Sequence, residues 1–311
     1  MSPFFSIIIP LYNKEKYIRK TLNSAFSQSF SDYEIIVVND GSEDAGGNIV
    51  KEEMVDPRIR YYETENRGVS SARNFGISLA EGRFIAFLDA DDYWYPHFLQ
   101  EIYTYICRFP EQKVFAAAIE FEYKGKVTKA EYSIKKTADY EMVNYFEASC
   151  KFTAIFTSSA VFEKDVFEAV GDFDTTVKRG EDTDLWIRIG LSYEILFIWR
   201  VGAVYCYDSN SLSRNGKDMR ESASFSKYAE FEGGNKALKK FLDLNRFSLA
   251  IQSRLRNDKS GFLYFRNSLK VNDLPFRKRL MLFLPSWLLW ILVYLKNLWM
   301  KVGLGKSVFV P

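Results

Sequence analysis

In residues 84–96, FIAFLDADDYWYP, an apolar run empties into three carboxylates, Asp89, Asp91 and Asp92. Like charges this close repel, and burying them without a partner is costly. In an extended segment Asp89 and Asp91, one small residue apart, point the same way. A divalent cation is the economical means of satisfying both. A hard cation such as Mg2+ takes one or two carboxylates and fills its remaining sites with water or phosphate oxygens, so the chemistry suggested is the holding of a metal-diphosphate. The competing readings are a solvated turn and a helix cap. A second acidic pair, Glu181 and Asp182 in RGEDTDLWIRIGLS, opens a predicted helix, where the macrodipole alone favours acidic side chains. His97 is the only histidine, which argues against a histidine-based triad or zinc site.

The elements that must position these acids follow from hydropathy patterning. FFSIIIP, YEIIVVND, RIRYYET and GRFIAFLDADD read as four strands, and KEKYIRKTLNSAFSQ, GSEDAGGNIVKEEM and GVSSARNFGISLA as the intervening helices. Unbroken Ile/Val/Phe runs in β-α-β-α order predict a largely parallel sheet covered on both faces. Ligands in such sheets bind beyond the strand carboxyl ends, where Pro10 to Asn13, Asp40 and the Asp89 cluster fall. KVFAAAIEFEYKGKV reads as a strand or hairpin arm, 123–150 as an exposed polar excursion, and the chain from about 218 onward as three helical segments. With 311 residues, 47% of them hydrophobic, the chain can build one large α/β domain plus an appendage, or two small domains. A formal charge of +2 gives no global field for nucleic acid, so no such partner is expected. Cys107, Cys150 and Cys206 form no CxxC pair and leave one unpaired in any disulfide scheme, which favours reduced cytosolic thiols. MSPFFSIIIPLYN lacks the basic region of a secretory signal.

Taken together and in order, SIIIPLYN, EIIVVNDGS, ENRGVSSARNFGISLAEGRFIAFLDADD and RGEDTDLWIRI resemble the signatures of the family 2 inverting glycosyltransferases with the GT-A fold, over residues 4–214. The resemblance implies a nucleotide-binding half (1–98) and an acceptor-binding half (99–215), a nucleotide-sugar donor, and Mg2+ or Mn2+ as cofactor. By matching positions, Pro10, Leu11 and Tyr12 line the nucleobase pocket, and Asp40 accepts from the base while also starting the turn at Gly41. Arg73 lies near ribose and phosphates with Arg67 assisting, a helix-surface salt bridge being the alternative for both. Asp89, Ala90 and Asp91 form the donor-binding DxD, with Asp91 the stronger metal ligand. Asp182 matches the general base, Glu181 places the acceptor or orients Asp182, and Trp186 either stacks on an acceptor ring or belongs to the core. Many relatives carry a histidine near a stretch like HPGSIS. YDSNSLSRN instead offers Asp208, an oxygen ligand or a position left to water, and Ser211, Ser213 and Arg214 resemble a loop closing over donor phosphates or an ordinary polar turn.

The C-terminal region (216–311) carries an apolar segment, 276–301. Leu280 to Leu295 is uncharged, interrupted by Pro285, and bracketed by Arg277, Lys278, Arg279 and Lys296. It is short of the ~20 residues that span a bilayer, so a helix lying in the membrane interface is expected, with an oligomer contact or buried helix as the alternative. The reading that results is a transferase at the cytoplasmic membrane face using a glycan or polyprenyl-diphosphate-linked acceptor, as a monomer or homo-oligomer. An inactive nucleotide-sugar-binding module is the runner-up. A dinucleotide oxidoreductase is disfavoured because neither IIIPLYNKE nor VVNDGSEDAGG has GxGxxG spacing.

Overall fold

The computed structural model describes residues 2–207 and 225–301. The predicted alternation is present: β1 (Phe5–Leu11), α1 (Ile18–Phe26), β2 (Tyr33–Asp40), α2 (Gly46–Glu53), β3 (Ile59–Thr64), α3 (Val69–Leu79) and β4 (Phe84–Phe87) follow in order. β1 and β2 are buried at every position, with one core on each face, which is why they read as unbroken apolar runs. Strands β3, β2, β1 and β4 pair in parallel. Gly76 lets α3 lie directly on β1, because a Cβ there would come within 2.4 Å of Ile8 Cγ2.

Past β4 the largely parallel sheet gives way to a mixed one. The chain continues through β5 (Tyr93–Trp94), α4 (Phe98–Arg108), β6 (Val114–Tyr123), β7 (Lys126–Lys129), β8 (Tyr140–Val143), α5 (Tyr145–Ala148), β9 (Ala160–Glu163), α6 (Asp165–Val170), α7 (Glu181–Ser192) and β10 (Ile195–Cys206). The sheet order is β3-β2-β1-β4-β9-β6-β10-β5, with β9 antiparallel to both β4 and β6. Five of the nine strand pairings among the described residues are antiparallel, which corrects the expectation. Single-strand patterning reports burial on two faces and not the direction of a neighbour. β4 is therefore the strand where parallel order ends, and the acidic stretch leaves its carboxyl end. The expected polar excursion is exposed at β7 but returns to the core at Tyr132, Tyr145 and Phe146.

Among the described residues of the C-terminal region there are five helices, not three: α8 (Ala229–Glu232), α9 (Lys236–Leu255), α10 (Lys259–Asn267), α11 (Phe276–Met281) and α12 (Ser286–Lys301). Asn235 and Asp258 cap α9 and α10 by accepting from the Leu238 and Gly261 amides. Pro285 separates α11 from α12, as its missing N–H requires. Leu238, Phe241 and Leu242 of α9 join the main core, whereas its Phe247, Ala250 and Ile251 join a separate cluster with Phe265, Leu282 and Leu289. Phe276, Leu280, Phe283, Trp287, Trp290 and Tyr294 remain exposed. No helix among the described residues is long and apolar enough to cross a membrane.

A buried charge cluster ties this region to α7. Asp184 is fully buried; it receives Arg188 Nε at 3.2 Å, the Tyr228 hydroxyl at 2.8 Å and Lys227 Nζ at 2.5 Å. Removing one side of such a cluster strands the other charges in a poor solvent. Asp184→Ala is expected to lower unfolding free energy by about 3–5 kcal/mol, read from the urea midpoint; a loss below about 1 kcal/mol would make the cluster a solvated surface feature.

Candidate active site

The acids of FLDADD sit on a turn and not on the extended segment expected, since β4 ends at Phe87 and the Asp92 amide donates to the Asp89 carbonyl at 2.9 Å. The turn is fixed from several sides. The Thr21 hydroxyl shares its proton between the Ala90 and Asp92 carbonyls, at 2.9 and 2.7 Å. The Asp89 amide donates to Ser158 Oγ, which in turn donates to Asp92 Oδ2 at 2.6 Å. Asp92 Oδ1 accepts from the Cys206 amide at 3.0 Å. Asp92 is thus a structural joint between β4, β9 and β10. Burial, then repulsion by Asp91 and Asp89, pushes its carboxyl well above the ordinary range against the Ser158 and Cys206 hydrogen bonds. The fold favours the protonated form, so this contribution to stability is present at low pH and is lost as pH rises through the raised value.

Asp89 and Asp91, by contrast, are part exposed, and each already holds a cationic side chain. Lys14 Nζ lies 2.6 Å from Asp91 Oδ2, and Arg73 Nη2 donates to Asp89 Oδ1 at 2.7 Å. Burial raises Asp91, Lys14 opposes this, and the Asp89 charge adds to the rise. The other end of the same guanidinium donates from Nη1 to Glu181 Oε1 at 3.1 Å. One planar fork thereby joins the turn after β4 to the first residue of α7, and Asp182 follows directly. Gly180, left-handed at φ 71°, turns the chain into α7. Burial alone would lower the Arg73 pKa; Asp89 and then Glu181 overcome it and hold the guanidinium charged. Glu181 is raised by burial and by Asp182, with Arg73 opposing. Asp182 accepts from the Thr183 amide at 2.6 Å and is part exposed.

Burial decides between several of the alternatives. Arg73 is only 4% exposed and is committed to two acids, so it acts as a strut and does not present its guanidinium openly to ribose or phosphates. Trp186 is 1% exposed and stacks on Phe162, with ring centroids 5.2 Å apart; it belongs to the core and has no face for an acceptor. Leu11 packs into the core, Pro10 is buried, and Ala90 is a buried spacer, so among these only Tyr12 has an accessible side chain. Both Asp40 oxygens accept backbone amides, from Arg67 and Gly68 at 2.8 Å each, and so anchor the loop into α3. Arg67 is exposed beside Glu65. Asp208, Ser211, Ser213 and Arg214 lie outside the described residues. Sequence reasoning missed Lys14, Thr21 and Ser158: a lysine in a loop, a threonine within α1 and a serine just before β9 give no signal until their contacts are known.

The Arg73 strut is testable by a double-mutant cycle. Arg73→Met leaves Asp89 and Glu181 without their shared counter-charge, and adding Glu181→Gln is expected to recover part of the lost stability, with a coupling of about 0.5–3 kcal/mol. Strict additivity in denaturant unfolding would remove the strut from the account.

The sequence profile of glycosyl transferase family 2 matches residues 6–171. The glycosyltransferase GlyA of Streptococcus pneumoniae serotype 4 is 43% identical over 105 residues, covering 33% of this chain and 15% of that protein. An uncharacterized glycosyltransferase of Rickettsia typhi is 30% identical over 189 residues, covering 60% of this chain and 58% of that protein. The chain thus spans less than two thirds of the length of these relatives. Among solved structures, S. aureus TarS 1-349 in complex with UDP-GlcNAc aligns with a TM-score of 0.61 at 18% identity, over 85% of this chain and 91% of that one. That agreement is one of fold, and the fold is of the GT-A kind. With the profile covering more than half of its residues, the chain belongs to glycosyl transferase family 2.

Proposed function

We propose that the protein is a metal-dependent, inverting glycosyltransferase that moves a sugar from a nucleotide sugar, with UDP-sugars the first candidates, to a hydroxyl of a glycan or lipid-linked acceptor in cell-surface polysaccharide or glycolipid synthesis. The observation that carries this reading is the Arg73 bridge, which sets the acidic turn and the start of α7 against one another. A UDP donor is supported by the fold shared with TarS, whose structures include complexes with UDP and UDP-GlcNAc.

Asp89 and Asp91 suit Mg2+ or Mn2+ as a partial ligand set. A hard cation takes one or two carboxylates and completes its shell with diphosphate and water, and among the described residues no third ligating side chain joins them. Such a cation supplies charge neutralisation at the departing diphosphate. Asp182 takes the acceptor hydroxyl proton as that oxygen forms its bond to the anomeric carbon, and the bond to the phosphate oxygen breaks with its electron pair leaving on the nucleoside diphosphate. A single displacement of this kind inverts the anomeric centre. Glu181, held by Arg73, keeps the first turn of α7 in place. Asp182→Asn is expected to bind UDP as the wild type does and to lose roughly three orders of magnitude in transfer. Binding without transfer or hydrolysis by the wild type would favour an inactive binding module instead.

The exposed apolar face of α11 and α12, with Arg277, Lys278 and Arg279 beside it, fits an anionic membrane surface and a membrane-borne acceptor at the cytoplasmic face. Burial of one such aromatic side chain contributes about 1.5–3 kcal/mol. The pair Trp287→Glu and Trp290→Glu is therefore expected to lower co-sedimentation with phosphatidylglycerol vesicles at least ~10-fold. Unchanged co-sedimentation, or a loss of self-association in its place, would make this face a contact between copies.

A further inference from the structure

The lysine at Asp91 is held too deliberately to be incidental. Lys14 follows Asn13, which adopts a left-handed conformation at φ 51° just after β1. On both sides of Lys14 the loop is fastened to residues 42–45. The Asn13 amide donates to Ser42 Oγ at 3.0 Å, and Asn13 Oδ1 accepts from the Glu43 amide at 2.8 Å. The Glu15 amide donates to Asp44 Oδ2 at 2.8 Å, and Glu15 Oε2 accepts from the Ala45 amide at 3.1 Å. The backbone carrying Lys14 is thus fixed, and its side chain, only 20% exposed, ends on an Asp91 carboxylate that is 17% exposed.

We propose that Lys14 is the resident cation of Asp91, which a divalent metal must displace, so that metal enters together with the diphosphate and not ahead of it. The inference rests on the metal-dependent reading above. Asp89 is already neutralised by Arg73, which leaves Asp91 as the carboxylate whose counter-charge can be exchanged. With the ammonium 2.6 Å from Asp91 Oδ2, a divalent ion on either oxygen of the same carboxylate lies within a few ångströms of it and is repelled, so the metal binds well only where Lys14 has moved off. Metal arriving alone therefore forfeits the Lys14–Asp91 pair. Metal arriving with a diphosphate brings anionic oxygens that can receive the released ammonium, and by linkage each ligand tightens the other.

The test measures Mn2+ binding to the full chain by the electron paramagnetic resonance signal of free Mn2+, with and without UDP. Lys14→Met is expected to bind Mn2+ about tenfold more tightly than the wild type in the absence of UDP, the scale of roughly one modest partly buried ion pair. The same variant should show a smaller gain in Mn2+ affinity on adding UDP, while Lys14→Arg retains wild-type behaviour. Lys14→Gln provides a second neutral variant should the methionine form fold poorly. Unchanged or weaker Mn2+ binding in a folded neutral variant overturns the proposal. So does an undiminished gain from UDP. Failure of the underlying reading has a different signature: Mn2+ binding that is absent from every form even with UDP, or that survives Asp91→Asn in the Lys14→Met background, removes the metal from Asp91 altogether.

Discussion

A single buried guanidinium sets the geometry of the site. Arg73 lies on α3 and grips Asp89, 16 residues on, and Glu181, 108 residues on, while its positive face lies 5.1 Å from the Phe173 ring centroid. Without those two acids, a guanidinium at 4% exposure would be a stranded charge. Without the guanidinium, the two acids would face one another unneutralised. Each of the three is tolerable only because the others are present. The separation between the acidic turn and the start of α7 is thereby fixed by the protein's own side chains, the kind of preorganisation that the proposed displacement would use.

The acids around this strut carry the same functional group and have different fates. Asp92 is sealed inside and held by Ser158 and the Cys206 amide; Asp184 is sealed inside and satisfied by Arg188, Lys227 and Tyr228. Asp89, Asp91 and Asp182 keep part of their surface open. Burial separates the acids that hold the structure from those that can meet a ligand. The structural acids also form the site's foundations: Asp92 locks the turn that carries Asp89 and Asp91, and Asp184 stands one turn into the helix that begins with Glu181 and Asp182.

Much of this was legible in the sequence. Strands covered on both faces declare themselves as unbroken apolar runs, so β1, β2, β4 and the helices between them could be read directly, as could α7 from its acidic entry. Asp89 and Glu181 meet through Arg73, a convergence that only the family resemblance implies. What patterning could not supply was direction and contact. The antiparallel insertion of β9 leaves no trace in a four-residue apolar strand. Trp186 and Arg73 each admit two readings in the sequence, ligand contact or a place in the protein's own packing, and only their depth decides for the second. Lys14 went unread because one lysine in a loop looks like any other until the acid it meets is known.

The division of α9 between two cores bears on how the chain can be handled. Its first half belongs to the main domain, while its second half is covered by Leu282 and Leu289 from beyond α10. A protein shortened before α11 to rid it of its greasy end would uncover Phe247, Ile251 and Phe265. Trimming would exchange one sticky surface for another, so recoding individual side chains is the sounder route to a well-behaved sample.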